Sequence, residues 1–140
     1  MSSVMRDRLS DALRSAAEAS TDPAVAAADW LARDIDPRRT SAIELLTDAD
    51  VSLENLVKAK NVYKTMRILG ETAADRRLAA RLYAASIAAA LVRFDRRISR
   101  QSDSALRRGL QSLDEEREVP EPLRHLAGSA LNMLQAESRE

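Results

Sequence analysis

The sequence predicts an all-α fold, a bundle or irregular array of about six to seven helices around one central alanine-rich helix. Three observations carry that expectation. Glycine occurs only three times in 140 residues. Runs of β-branched residues are missing, so nothing reads as a strand. Large apolar residues return every three or four positions, the spacing that gathers them on one face of a helix.

The elements follow in order. Met5, Leu9, Leu13 and Ala16 share one face of a first helix over about 3–19. Asp22 is a good cap for a second helix, and Pro23 suits its first position, where the missing N–H costs nothing. The same pair recurs at Asp36 and Pro37 and predicts a short third helix reaching about Thr47. Ser52 caps a fourth, which Gly70 ends. Leu56, Ala59, Val62, Tyr63, Met66 and Leu69 lie on one side of it, and Lys60, Lys64 and Arg67 gather on a flank. A helix over about 103–113 carries Leu106, Leu110 and Leu113. A charged loop, DEEREVPEP, leads to a last helix over about 121–135, with Leu123, Leu126, Ala127, Ala130, Leu131 and Leu134 on one face.

The stretch RRLAARLYAASIAAALVRFDRRISR, residues 76–100, is the centre of the reading. Thr72 followed by Asp75 resembles a capping box, so the helix is expected over about 73–98. At 100° per residue, Leu78, Leu82, Ala85, Ala89 and Val92 share one sector of about 80°. Tyr83, Ile87, Ala90, Leu91, Phe94 and Ile98 share another, opposite sector of about 100°. A helix apolar on both sides is a buried one, and its alanines let neighbours close in. Its uncharged run, Leu82 to Val92, would span only about 16 Å, well short of the roughly 20 residues of a membrane crossing. Arg93, Arg96, Arg97 and Arg100 follow on the side of Leu78, with Phe94 and Ile98 packed on the other.

Composition sets the remaining bounds. One domain of 140 residues is expected, with residues 1–35 as a peripheral segment that docks on the rest or on a partner, because they hold few large apolar side chains. Leu, Ile, Val and Phe make up 31 of 140 residues, little above the roughly 20% below which chains tend to disorder. So thin a core leaves self-association into a homodimer or larger homo-oligomer as a way to bury more surface. The N-terminus lacks a signal-peptide core, so the expected location is cytoplasmic, with no membrane partner. Nineteen arginines against three lysines, with 25 alanines, is the bias of a GC-rich, bacterial coding sequence.

No catalytic residue, metal site or cofactor is expected. There is no cysteine and one histidine, His125. Glu121 and His125 sit at helical i, i+4 spacing, but on the side away from the apolar face, where a solvated pair is the plain reading. DADVSLE opens like a calcium loop but has Leu53 and Ala59 where the loop needs Gly and Glu. No glycine-rich phosphate loop occurs.

What remains is charge. The chain balances at 22 against 22, yet residues 1–50, 51–111 and 112–140 carry net −4, +8 and −4. The ends are expected to fold back on the basic middle, or on that of a second copy. Arg93, Arg96, Arg97, Arg100, Lys60, Lys64 and Arg67 are the candidates for binding an anion or a partner, and Trp30 is the candidate interface anchor. The expected function is a non-enzymatic protein–protein interaction or adaptor domain. An accessory module for nucleic acid or another polyanion is the alternative, weakened by the shortage of aromatics for stacking.

Overall fold

The fold was analysed in a computed structural model. It describes residues 22–138 without a break, and Asp7, Ser10, Asp11, Arg14, Ser15 and Glu18 before them. Those six positions are helical and exposed. The rest of the helix expected over 3–19 lies outside the described residues, as does most of the segment expected to dock.

Residues 22–138 form six helices, and the described residues include no strand. Helix α1 spans Pro23–Ile35, α2 Ala42–Thr47, α3 Leu53–Leu69, α4 Ala73–Phe94, α5 Asp103–Glu115 and α6 Glu121–Ser138. Side chains start them as the sequence implies. Asp22 accepts from Val25 N–H, Ser52 from Asn55 N–H and Ser102 from Ala105 N–H, satisfying donors that a helix start leaves open. Thr72 and Asp75 exchange both bonds of a capping box, at 3.0 and 3.2 Å.

Helices α5 and α6 run two and three residues past their expected ends, and two other boundaries differ in kind. The second Asp-Pro pair does not open α2. Asp36 instead ends α1, donating its N–H to Ala32 O at 3.0 Å. Its buried carboxylate accepts from Arg38 N–H and Nε, both at 3.1 Å, and Ser41 caps α2 in its place. The Arg38 side chain holds the Asp36 carboxyl below its usual range against the opposing effect of burial.

The larger correction is that α4 stops at Phe94 rather than at about Ile98. Asp95 takes a left-handed backbone, φ 51°, which a short polar side chain tolerates better than most. The final turn closes with Asp95 N–H on Leu91 O at 3.0 Å and Arg96 N–H on Ala90 O at 3.2 Å. Phe94 is therefore 38% exposed rather than packed. Ile98 still packs against the core, but from the irregular segment 95–102.

Helix α4 is the strut. It contacts all five other helices, and Leu82 to Leu91 are buried without interruption. Ten successive side chains can all be covered only if neighbours lie on every side. The alanines make that possible: Ala85, Ala88, Ala89 and Ala90 are at most 1% exposed. Ser86 is equally buried and returns its hydroxyl to Tyr83 O at 2.6 Å, so it costs no unpaired donor. Helix α3 forms a hairpin with α4 through Gly70. A Cβ there would lie 2.9 Å from both Asp75 Cβ and Met66 O, so the turn requires the missing side chain. Tyr63, fully buried, donates its hydroxyl to Ala28 O at 3.2 Å and ties α3 to α1, and burial pushes its phenol pKa up. Leu106, Leu110 and Leu113 of α5, with Leu123, Ala127 and Leu134 of α6, close the core. No helix among the described residues is long and apolar enough to cross a membrane.

Gly109 offers a test of this packing. It lies inside α5, and a Cβ there would meet Ala84 Cβ at 3.6 Å, an ordinary contact. Gly109→Ala is expected to raise stability by about 0.5–1 kcal/mol, because glycine weakens a helix interior. A urea midpoint lower than that of the parent would mean that α5 sits closer to α4 than described.

Candidate functional site

The acidic C-terminal end meets the basic middle through two ion pairs, and a third lies within the middle itself. Arg81 of α4 pairs with Glu116 at the end of α5, and Arg97 pairs with Asp103 and, at 2.7 Å, with Glu137 of α6. The C-terminal acids thus fold back onto the basic middle. Asp114, Glu115 and Glu118 make no ion pair with the arginines of 93–100 among the described residues.

The arginine cluster divides. Because α4 ends early, only Arg93 stands on the helix. It donates to Leu46 O at 2.6 Å, and its partial burial lowers its pKa. Asp48 lies near enough to oppose that shift and is itself paired with the buried Arg39. Arg93 is a structural clamp between α4 and α2. Arg97 is the double ion pair already described. Arg96 and Arg100 are exposed and have no ion pair among the described residues.

The irregular segment turns back along α3. Lys60 donates to Ile98 O at 2.9 Å. Tyr83 OH lies 2.8 Å from Ser99 Oγ, and the Arg67 guanidinium stacks 4.9 Å over the Tyr83 ring. These contacts bring together two groups that the sequence holds some 30 residues apart. The flank Lys60, Lys64, Arg67 and the segment containing Arg96 and Arg100 become neighbours. Lys64 is exposed, and α3 holds no acid after Glu54. Sequence reasoning found these cations but missed Tyr83 and Ser99, which join them. The run RRISR marks the segment, but nothing in it specifies contact with a tyrosine 16 residues earlier.

The other candidates fall elsewhere. Trp30 is half-buried on α1 and packs against the core. Glu121 and His125 stand 3.7 Å apart and largely in solvent. Among the described residues, no three His, Cys, Asp or Glu side chains gather to hold a metal. A groove of about 450 Å³ opens between α1, α2, α4 and the turn before α6, with Val25, Ile43, Leu78 and Leu123 in its walls. Asp22, Asp29 and Glu118 share it with Arg77 and Arg81, so its charge favours no one ligand.

The fold and site define an all-α protein with an exposed basic surface on one side of a buried central helix. No family model, curated protein or solved structure matches the chain.

Proposed function

We propose that this protein is a non-enzymatic helical interaction module that docks an acidic stretch of a protein partner on the surface formed by α3 and residues 95–102. The observation that carries this reading is the division of the arginines. Arg93 and Arg97 are consumed by the fold, whereas Arg96, Arg100 and Lys64 are exposed beside them with no ion pair among the described residues. Nucleic acid is the weaker partner. Tyr63 and Tyr83 are buried and Trp30 packs on the core, which leaves Phe94 as a single partly exposed ring near the cations, too little for a platform on which successive bases stack. A bacterial setting fits the Arg and Ala bias, and a cytoplasmic location is proposed with it.

The test is capture from the source cells with the parent chain and with Arg96→Glu combined with Arg100→Glu. Folding should survive, because exposed charges of this kind contribute about 0–1 kcal/mol each. A partner held by the parent and lost from the variant is the expected result. Its binding should weaken steeply but not vanish with salt. An identical set of partners with both proteins would remove this surface from consideration. Light scattering on the pure chain decides whether the partner is a second copy.

A further inference from the structure

The groove between α1, α2, α4 and the turn before α6 offers an apolar seat. Val25 is 42% exposed at its edge, Ile43 and Leu78 are half-buried in its walls, and Leu82 and Leu123 form its floor. Apolar surface of this kind gains by being covered. Its acids and arginines are mixed, so connectivity rather than charge selects what covers it.

The chain enters the fold at this groove. Asp22, the residue before α1, lines it. Asp22, Ala24 and Ala74 also line an adjoining hollow of about 700 Å³, where Ser10 and Arg14 of the preceding segment stand with Leu69 and Thr72. The N-terminal segment therefore runs beside the groove. Three residues separate Glu18, helical and exposed, from Asp22, a reach of at most about 14 Å. So short a tether holds the segment at an effective concentration on the order of millimolar.

The pattern of the segment fits the seat. At 100° per residue, its six described positions, all exposed, share a sector of about 140°. Met5, Leu9, Leu13 and Ala16 share the opposite sector, of about 80°. Met5 and Leu13 lie about 12 Å apart along such a helix, as do Ala74 and Leu82 along the α4 wall.

We infer that the groove is the seat of this chain's own N-terminal segment, which lays Leu9 and Leu13 against Val25, Ile43 and Leu78. The segment is a strap across α1, α2 and α4, and it closes the groove to other ligands. The inference holds or fails independently of the basic docking surface.

The chain has no cysteine, so introduced thiols report alone. Ile43→Cys should react with a maleimide at least about tenfold more slowly in the full chain than in the full chain that also carries Leu9→Asp and Leu13→Asp, as for a site that opens only in a minor state. Cooperative melting of each variant confirms the fold. Leu9→Cys combined with Ile43→Cys should form a disulfide within one chain under mild oxidation. Ser10→Cys combined with Ile43→Cys, on the opposite side of the segment, should not. Labelling that is unchanged by the two aspartates overturns the inference, with or without a cross-link. Equal cross-linking of the Leu9 and Ser10 pairs also overturns it, because the segment would then pass the groove without seating a particular face. A disulfide that joins two chains instead gives the groove to a second copy and removes the segment of the same chain.

Discussion

Tyr63→Ala is expected to cost about 3–5 kcal/mol, the range for removing a buried aromatic side chain. Tyr63 has no exposed surface, and it fills the space between α3 and α1 where the surroundings are largely alanine. Small neighbours cannot reach in to refill the void, so the cavity should persist. Tyr63→Phe separates the two contributions. It keeps the ring and removes the hydrogen bond to Ala28 O, so a loss of about 0.5–1.5 kcal/mol is expected. Urea unfolding of the two variants checks both. Equal losses would mean that the hydroxyl, not the ring, holds α1 against α3.

Ala89→Leu should cost about 1–3 kcal/mol for the opposite reason, because there is no room. Ala89 is fully buried in the middle of the ten covered residues of α4. Three extra carbons must displace a neighbouring helix or force a strained rotamer. Thermal unfolding gives the result directly. An unchanged melting temperature would place this face of α4 in solvent and would contradict the strut.

Much of this fold was legible before any coordinates. Ser52, Thr72 with Asp75, and Gly70 announce helix ends by local chemistry, and local chemistry is what one sequence contains. The buried character of α4 was legible from its two opposed apolar sectors. The end of α4 was not. Leu91, Phe94 and Ile98 continue the helical spacing, and the stop comes from Asp95 entering the left-handed region, which periodicity does not register. At Asp36 the same dipeptide that starts α1 was read as a second start. The competing use of that carboxylate by Arg38 and Arg39 won.

The candidate site divides in the same way. Its cations were visible as a charge bias. Their convergence was not, because it depends on Lys60 reaching a carbonyl 38 residues away and on a tyrosine of the buried helix meeting Ser99. The early end of α4 is also what frees residues 95–102 to fold back along α3. A helix continuing to Ile98 would have carried Arg96 and Arg97 away on its own surface.

The central claim is that binding occurs on this surface and not in the apolar groove. Amide hydrogen exchange on the protein alone and with its captured partner locates the contact. The account predicts added protection over 60–67 and 95–101, with amides of the groove near Val25, Ile43 and Leu78 unchanged. Protection gained at the groove, with 60–67 and 95–101 exchanging as in the free protein, would contradict it.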